Sequence, residues 1–302
     1  MCDFVKSPLN YTGGKTRLLP QILPLFPSKI DTFVDLFCGG ANVGINIDAD
    51  HIVYNDYNGS VIGLLELFSK YDYDTISGEV EKIIKRYGLS ESSTYRYKHY
   101  GCESRDGLCS FNKLPYLDLR RDFNALTDKD DKYYYMLFSL IIFAFNNQIR
   151  FNSKGEFNLP VGKRDFNKNM RGNLRRFIEA LHKQDRTFCA GDFRSFDTAI
   201  LKSGDFVYCD PPYLITTASY NESNGWVLDD EKDLLDFLDG LDSRNIKFAL
   251  SNVTRHKGRT NDLLIEWSKD YTTHNLSFNY SNSSYHGNNR NELTEEVLIT
   301  NY

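Results

Sequence analysis

The sequence predicts an α/β protein whose sheet is covered by helices on both faces and whose chain is split by a helical insertion. Short apolar segments that read as strands alternate with helical stretches near both ends of the chain, which is the pattern of an open α/β sheet. The stretch 61–145 is mostly helical and does not fit this alternation. Glycine-rich and proline-rich turns follow two of the strands, at the edge where open α/β sheets bind their ligands.

The domain boundaries follow from these patterns. We expect a sheet domain made of 1–57 and 188–302, with 58–187 inserted as a separate helical domain. The length of 302 residues allows one large domain or two. A hydrophobic content of 41% and a charged content of 25% are ordinary globular values, and they exclude the disordered and collagen-like classes.

The strands are expected where short apolar runs are bounded by turn residues. They are 32–37, 51–55, 187–189, 206–209, 247–250, 276–280 and 296–300. The glycine-rich turn after the first strand is expected to open a helix. Further helices are expected over most of 61–145, with a polar break at 100–110, and over 169–183 and 229–242. The 13-residue apolar run 133–145 is shorter than the about 20 residues of a membrane span, so a buried helix is expected there.

Cysteine and histidine usage indicates neither disulfides nor a metal site. The six cysteines form no CxxC pair, and the spacing of Cys and His gives no complete set of zinc ligands. The N-terminal sequence MCDFVKSPLN lacks the apolar core of a signal peptide. We therefore expect a cytoplasmic protein with no metal and no membrane partner.

Charge is unevenly distributed along a chain of net charge −5. The segment 150–186 has ten Lys and Arg residues against four Asp and Glu, whereas 227–243 has seven acids against one Lys. One basic region on an acidic protein is compatible with an anionic partner bound at one place. Both segments could also be solvated faces of helices.

The strongest candidate for a catalytic site is the turn Asp210-Pro211-Pro212-Tyr213, which directly follows the expected strand 206–209. Two consecutive prolines fix the backbone and remove two N–H donors, so the turn presents acceptors, namely the Asp210 carboxylate and the Pro211 carbonyl. Tyr213 adds a ring on which a base could stack. A planar amine such as the exocyclic amino group of adenine or cytosine fits this arrangement. The same residues could also form an ordinary turn.

A second candidate site combines the turn Phe37-Cys38-Gly39-Gly40 with Asp56. A strand that runs into a glycine-rich turn lets a ligand approach the backbone closely. An acid about 20 residues past the first strand can bind ribose hydroxyls. The combination predicts a cofactor of the nucleoside type, without distinguishing NAD from S-adenosylmethionine.

Two further segments could contribute to these sites. The segment YTGGKT is not a P-loop, because Leu9 stands where that motif needs its first glycine. Its Lys15 ammonium could instead lie near a carboxylate, and the Tyr11 ring could face a cation. Ser251 and Asn252 are expected to end a strand at the same edge of the sheet as Asp210, where they could line the pocket.

Taken together, the motifs resemble those of the Dam family of adenine-specific DNA methyltransferases. Their order is KSPLNYTGGK, DLFCGG, ND at 55–56, GEFNLPVGK and DPPY, and the resemblance extends from residue 6 to the final EVLITNY. It implies a Rossmann-like S-adenosylmethionine-dependent methyltransferase sheet with an inserted helical target-recognition domain. FNNQIR is most similar to restriction–modification members that methylate adenine in GATC. The family's glycine motif usually reads FxGxG, whereas this chain has Ala41, which is tolerable if its φ is negative.

The resemblance implies a role for each matching position. The implied S-adenosylmethionine-binding residues are Tyr11, Lys15, Phe37, Gly39, Gly40, Asp56 and Asp210. The implied catalytic residues are Asp210, Pro211, Pro212 and Tyr213, with Asp210 between the cofactor and the target base. The residues implied to lie on the DNA-reading loop are Arg150, Asn152, Pro160 and Lys163.

The implied partner is double-stranded DNA, from which the target adenine is flipped, with a cognate restriction endonuclease acting separately. An RNA adenine methyltransferase would use the same turn and cofactor, and a DNA-binding module without activity would keep the same fold. A nicotinamide oxidoreductase shares the glycine turn and Asp56, but the chain lacks its GxGxxG motif.

Overall fold

A computed structural model of the chain describes residues 4–11, 13–216, 225–277 and 294–302. Within these ranges the central feature is a single sheet of eight strands. The strands are β1 (Thr32–Asp35), β2 (His51–Asp56), β3 (Arg186–Ala190), β4 (Phe206–Cys209), β5 (Lys247–His256), β6 (Arg259–Thr260), β7 (Thr272–Leu276) and β8 (Thr294–Thr300). The predicted α/β architecture is therefore confirmed.

Helices occupy most of the remaining described chain. They are α1 (Leu19–Ile22), α2 (Gly59–Lys70), α3 (Tyr73–Tyr87), α4 (Ser92–His99), α5 (Cys109–Asn124), α6 (Asp131–Phe143), α7 (Lys168–Leu181), α8 (Leu228–Asp242) and α9 (Asp262–Trp267). Five consecutive helices, α2 to α6, come between β2 and the next segment with strand-like pairing. The mostly helical middle of the chain was thus predicted correctly.

The sheet is mixed, with the strand order β3-β2-β1-β4-β5-β8-β7 and with β6 paired to β5. Strands β1 to β5 run parallel, whereas β8 pairs antiparallel with both β5 and β7. After β1, the chain adds β2 and then β3 on one side of β1, and it later adds β4 and then β5 on the other side. The order therefore reverses between β1 and β4, and such a switch point is where open α/β sheets bind their ligands.

The chain divides into two units. The helical unit comprises the described residues up to Gly14 together with Ser60–Lys183, and the sheet unit comprises the described parts of Lys15–Gly59 and Gln184–Tyr302. The division of function between a catalytic and a target-recognition domain stays a prediction, as do its boundaries.

The core of the sheet unit forms where α8 packs on the sheet. Its leucines 234, 235, 238 and 241 are buried together with Val207 and Phe248 from the strands. The acids of α8 lie largely on its other side, where the Arg194 guanidinium bonds Asp230 at 2.5 Å and Asp233 at 2.6 Å. The acidic segment 227–243 is thus mainly the outer face of a helix whose apolar face is buried.

The core of the helical unit is built around α6. Every α6 residue from Tyr135 to Phe143 is buried, and α6 contacts α3 and α5. Asp130 caps its first turn by accepting the Tyr133 N–H at 3.0 Å. The prediction of a buried helix is confirmed. Among the helices of the described ranges, none has both the length and the apolarity that crossing a membrane requires.

Part of the basic segment 150–186 is neutralised within the helical unit. Arg171 of α7 forms an ion pair with Glu81 of α3, and the Arg175 guanidinium lies 3.3 Å from the Asp74 carboxylate. Lys163 is exposed and has no salt-bridge partner among the described residues. Fewer basic side chains are thus available to an anionic partner than composition alone indicates.

The helix expected after the glycine turn is not present. The described residues there form turns and a single short 3-10 segment, Gly44–Asn46. Gly39 and Ala41 both have positive φ, at 47° and 59°, and a right-handed helix cannot include such residues without interruption. The condition that Ala41 has a negative φ is therefore not met.

Two strand predictions also need correction. The strand expected to end at residue 250 continues as β5 to His256, so Ser251 and Asn252 lie inside a strand and not at its end. Both residues are fully buried, and β8 pairs with β5 along this stretch. The strand expected at 276–280 is found at Thr272–Leu276 instead, and 278–280 lie outside the described residues.

Gly162 lies near the end of the predicted DNA-reading loop, where the chain passes close to the last residue of α6. Its N–H donates to the Phe143 carbonyl at 2.7 Å, and Ala144 and Val161 form a β-bridge beside it. A Cβ atom at Gly162 would lie 2.3 Å from the Ala144 carbonyl oxygen, which is backbone and cannot rotate away. Glycine is therefore required here by close backbone approach.

Gly162→Ala is expected to lower the free energy of unfolding by about 1–3 kcal/mol, because the backbone must shift to admit the methyl group. Gly78→Ala is the matched control, since Gly78 lies inside α3 with no atom within 4 Å of its ideal Cβ. It is expected to raise the free energy of unfolding by about 0.5–1 kcal/mol. Urea unfolding followed by circular dichroism measures both variants. A Gly162→Ala midpoint equal to that of the unmodified protein would contradict the close approach.

Candidate active site

Asp210 stands at the carboxyl end of β4, next to the switch point of the sheet. All four residues of β4 are buried, and β4 lies between β1 and β5. The two prolines that follow Asp210 have no N–H with which to continue the strand pairing, so β4 ends at Cys209. The predicted position of Asp210 at a strand tip is confirmed.

The Lys15 ammonium lies against the Asp210 carboxylate. The Lys15 Nζ is 2.7 Å from Asp210 Oδ1, and it also donates to the Tyr213 hydroxyl oxygen at 2.6 Å. The Lys15 side chain is only 3% exposed. The interpretation that the Gly-Gly-Lys segment places an ammonium near a carboxylate is thus confirmed, and the carboxylate is Asp210.

Glu296 completes this cluster and was not among the predicted site residues. Its Oε1 lies 3.5 Å from Lys15 Nζ and accepts from the Tyr213 hydroxyl at 3.2 Å. Because β8 runs antiparallel to its neighbour β5, its first residues lie at the edge where the parallel strands end. The only sequence signal for Glu296 was its place in the final motif EVLITNY.

The Tyr213 ring is held by its hydroxyl group. The hydroxyl accepts from Lys15 and can donate its one proton to Asp210, 3.1 Å away, or to Glu296. The Lys15 Nζ lies 5.0 Å from the ring centroid. An ammonium within hydrogen-bonding distance of the hydroxyl and this far from the centroid sits at the polar end of the ring and not over its face. The ring faces are therefore not covered by Lys15.

Burial dominates the electrostatics of this cluster. It raises the pKa of the Asp210 carboxyl, and the Lys15 ammonium opposes that rise. Burial also raises the pKa of Glu296, where Lys15 lowers it and the Asp210 carboxylate raises it. The pKa of the Tyr213 phenol is raised by burial and by both carboxylates, so the phenol keeps its proton. Asp210, Lys15, Tyr213 and Glu296 are called the lysine cluster below.

The glycine turn binds Asp56 at the end of β2. The Gly39 N–H donates to Asp56 Oδ2 at 2.7 Å, and the Asn58 N–H donates to Asp56 Oδ1 at 2.8 Å. Gly39 has a φ of 47°, which favours a residue without a side chain. Each carboxylate oxygen retains a further lone pair that could accept a hydrogen bond from a ligand hydroxyl group.

Three aromatic side chains pack against one another beside this turn. The Phe37 ring contacts Phe193 and Trp226, with centroids 5.4 Å and 5.9 Å away. The Trp226 indole N–H donates to the fully buried Glu231 carboxylate at 2.6 Å, and Glu231 also accepts from Asn252. Asn252, expected to line the pocket, thus serves in part to hold Glu231. Ser251 is bonded to the Tyr208 hydroxyl at 2.8 Å.

Asp35 is a second acid that was not among the predicted site residues, although it is the first residue of the motif DLFCGG. It is the last residue of β1, and its Oδ2 accepts the Gly44 N–H at 3.0 Å. Burial raises the pKa of Asp35 to about 8, and the Asp210 and Asp56 carboxylates add to the rise while the Gly44 N–H opposes it. Asp35 is therefore mainly protonated at neutral pH.

The remaining predicted site residues lie in the helical unit. Tyr11 is in its N-terminal segment, where its carbonyl accepts the Gly14 N–H at 3.2 Å. Arg150 is held by Asn158, to which its Nε donates at 2.8 Å. Asn152 shapes the tip of the loop, because its side-chain oxygen accepts the N–H groups of Lys154 and Glu156, both at 3.0 Å.

Pro160 and Lys163 are both exposed on the returning side of this loop. The Pro160 carbonyl accepts the Phe145 N–H at 2.9 Å, and the Lys163 carbonyl accepts the Leu108 N–H at 3.0 Å. Their backbones are fixed while the Lys163 ammonium remains accessible. The contact of these residues with DNA stays a prediction.

The sheet unit has the groups that a cationic nucleoside cofactor needs. Asp56 can accept hydrogen bonds from hydroxyl groups, and the glycine turn lets a ligand approach the backbone closely. In the lysine cluster, two carboxylates face one ammonium, so the site favours a ligand that brings positive charge. Among the described residues, no group of three or more His, Cys, Asp or Glu side chains is arranged to hold a metal ion.

Comparison with known proteins identifies the family that shares these features. Residues 11–282 match the family model described as D12 class N6 adenine-specific DNA methyltransferase. The matched region covers most of the chain and includes the motifs TGGK, DLFCGG and DPPY.

Individual relatives agree with the family match. The chain is 44% identical to the type II methyltransferase M.FokI of Planomicrobium okeanokoites and 42% identical to the modification methylase StsI of Streptococcus sanguinis, over 99% of its length in each case. It spans 43% of the length of each of these relatives. It is 30% identical to a DNA adenine methylase of Vibrio cholerae, over 81% of this chain and 80% of the relative.

Asp35 makes the stability of the protein depend on pH. Because its folded-state pKa lies above the ordinary value of 3.8, the unfolded chain binds fewer protons than the folded protein between about pH 4 and pH 8. The free energy of unfolding is therefore expected to fall as pH rises through this window, by at most about 1.4 kcal/mol per pH unit from this group.

Asp35→Asn keeps an acceptor for the Gly44 N–H and removes the titration. Its stability relative to the unmodified protein is expected to increase from pH 4 to pH 8, as measured by urea unfolding at several pH values. Gly78→Ala, which changes no titratable group, is the control and should give a constant difference. A constant difference for Asp35→Asn as well would show that Asp35 titrates normally.

Proposed function

The chain belongs to the D12 class N6 adenine-specific DNA methyltransferase family, and from this membership we propose that it methylates the exocyclic amino group of adenine in duplex DNA. The methyl donor of the proposal is S-adenosylmethionine. The observation that carries the proposal is the acceptor group at the tip of β4, where Asp210 is paired with Lys15 beside the switch point of the sheet.

The proposed chemistry needs positioning and electrostatics from the protein, and no covalent intermediate. S-adenosylmethionine would supply a methyl group already activated by its positive sulfur. Asp56 would hold the ribose hydroxyls, and the Phe37 to Gly40 turn would border the methionine part. Groups that position two reactants and stabilise developing charge can each contribute several kcal/mol to the rate.

Asp210 and the Pro211 carbonyl would accept the two hydrogens of the adenine amino group. These contacts would draw the nitrogen lone pair out of conjugation with the ring and turn it toward the methyl group. The nitrogen would then bond the methyl carbon as its bond to sulfur breaks, which leaves a neutral thioether, and one amino hydrogen would leave as a proton to the solvent. Asp210 is well suited to this task because Lys15 and Tyr213 hold its Oδ1 in place. A carboxylate whose position is fixed by two donors loses little entropy when it binds the amine.

Tyr213 would stack on the adenine once the base has left the duplex. Flipping costs a few kcal/mol, and stacking on an aromatic ring returns about 1–3 kcal/mol. The proposal is supported by the way in which Tyr213 is held, since three polar partners fix its hydroxyl while Lys15 leaves the ring faces uncovered.

The loop that contains Arg150, Asn152, Pro160 and Lys163 would read the DNA. Its tip is ordered by the Asn152 side chain, so a side chain on it can reach a defined position in the major groove. We propose that the recognition sequence is GATC and that a cognate restriction endonuclease acts separately, both on the basis of the motif resemblance. Phosphate contacts would set the register, and base contacts would set the specificity.

Asp210→Asn is expected to reduce methyl transfer to adenine by at least about 100-fold, because the amide is a weaker acceptor and its NH₂ group cannot accept. DNA binding, measured by fluorescence anisotropy, should change little. Asp236→Asn on α8 is the control and should retain full activity. Transfer of a labelled methyl group to duplex DNA measures the rate of each variant.

The recognition sequence is tested with the same variants. Genomic DNA from cells that express the unmodified protein or Asp210→Asn is sequenced for N6-methyladenine at every position. Methylation confined to GATC and absent with Asp210→Asn supports the whole proposal. Methylation in another sequence keeps the activity and overturns the GATC assignment, whereas methylation of structured RNA in preference to duplex DNA overturns the substrate class.

Lys163→Ala is expected to weaken DNA binding and to reduce the slope of log affinity against log salt concentration by about 1, because one phosphate contact is lost. Lys82→Ala is the control, since it removes the same charge from the helical unit at an exposed position paired with Glu79. Binding titrations at several salt concentrations give both slopes. A Lys163→Ala slope equal to that of Lys82→Ala would place Lys163 away from the DNA.

A further inference from the structure

The lysine cluster contains more negative charge than positive charge. Of the four residues that define the cluster, Lys15 supplies the positive charge, and the Asp210 and Glu296 carboxylates both lie within 3.5 Å of its ammonium. The side chains of Lys15 and Glu296 are 3% and 9% exposed, and that of Asp210 is 18% exposed. With both carboxylates ionised, the cluster would have an unbalanced negative charge in a largely buried place.

The positions of the two carboxylates favour neutralisation of this excess charge by one proton. Asp210 and Glu296 converge on the same two polar groups, the Lys15 ammonium and the Tyr213 hydroxyl, so they are close enough to repel each other. Two carboxylates that share one buried site do not both ionise readily, and one proton serves the pair. Burial raises the pKa of both carboxyl groups, which is consistent with one proton held by the pair.

We propose that Asp210 and Glu296 share one proton in the ligand-free protein and release it when a sulfonium ion binds beside them. This inference rests on the proposed function, which places the positive sulfur of S-adenosylmethionine near Asp210. An added positive charge balances the second carboxylate, so the shared proton leaves to the solvent. Asp210 is then fully ionised and is the stronger acceptor for the adenine amino group.

Glu296 is a positioning residue in this account, because it contacts Lys15 and Tyr213 and not the reacting atoms. Other groups near the pair could also titrate. They are Asp35, whose pKa is raised in part by Asp210, the Tyr208 and Tyr213 phenols, and the Cys209 thiol. Burial raises the pKa of all three of the latter groups, so they stay neutral near pH 7. Asp35 is therefore the competing source of a proton.

The test compares two ligands that differ in one charge. S-adenosylmethionine and S-adenosylhomocysteine share every group except the methyl, which makes the sulfur of the first positive. Each is titrated into the protein by calorimetry near neutral pH, in buffers with different ionisation enthalpies. The dependence of the observed enthalpy on the buffer gives the number of protons released. We expect release of up to one proton with S-adenosylmethionine and close to none with S-adenosylhomocysteine.

Four variants identify the source of the proton. Glu296→Gln should abolish the release with S-adenosylmethionine. Glu295→Gln, an exposed neighbour on the same strand, and Asp35→Asn should both retain it. Circular dichroism checks that each variant folds, and Glu296→Asp should restore the release. If Glu296→Gln does not fold, the affinity ratio of the two ligands serves instead, and it should shift toward S-adenosylmethionine by up to tenfold per pH unit as pH rises.

The outcomes separate this inference from the proposed function. Binding of S-adenosylmethionine with the same proton count as S-adenosylhomocysteine overturns the inference and leaves the methyltransferase proposal intact. Loss of the release in Asp35→Asn but not in Glu296→Gln overturns it also, because the proton then belongs to Asp35. Failure of both ligands to bind would overturn the proposed function, and with it the inference.

Discussion

The buried ammonium of Lys15 is the interaction on which the arrangement of the sheet unit's active edge depends. A lysine side chain that is 3% exposed would be strongly unfavourable without partners. Its partners come from distant parts of the sequence, since Asp210 follows β4 and Glu296 lies on β8. Loss of both carboxylates would leave the Lys15 ammonium buried without compensation, whereas loss of Lys15 would leave two buried carboxylates without a counter-charge. The ion pairs thus specify how the segment at Lys15 meets the ends of two strands.

The strand order explains why so many acids meet at one edge. Parallel strands end on the same side of a sheet, so Asp35 at the end of β1, Asp56 at the end of β2 and Asp210 after β4 lie along one edge. Antiparallel β8 adds Glu296 from its beginning. Mutual repulsion and burial would make this edge unfavourable, and the backbone N–H groups of Gly39, Asn58 and Gly44, with Lys15, offset that cost.

Local pattern in the sequence predicts the strands and the turn that follows β4, because burial and proline act within a few residues. The strand Phe206–Cys209 has the predicted bounds, since Asp210 and Pro211 end it. Glu296 could not be predicted in the same way, because its role depends on a strand pairing with β5 and on Lys15, which is 281 positions earlier. The prediction of a helix after the glycine turn was wrong because Ala41 has a positive φ. The composition of the segment does not reveal this conformation.

An excess of negative charge at the lysine cluster would have different consequences before and after the proposed methyl transfer. A site that is one positive charge short binds a sulfonium more strongly than a neutral thioether of the same shape. Under the proposed function, loss of the methyl group would remove the positive charge from the sulfur, and Asp210 and Glu296 would again face Lys15 alone. Their repulsion would then favour return of a proton, and the neutral product would lack the electrostatic attraction that held the sulfonium. The same two carboxylates can therefore favour binding of the charged donor and release of its neutral product, without any change in the fold.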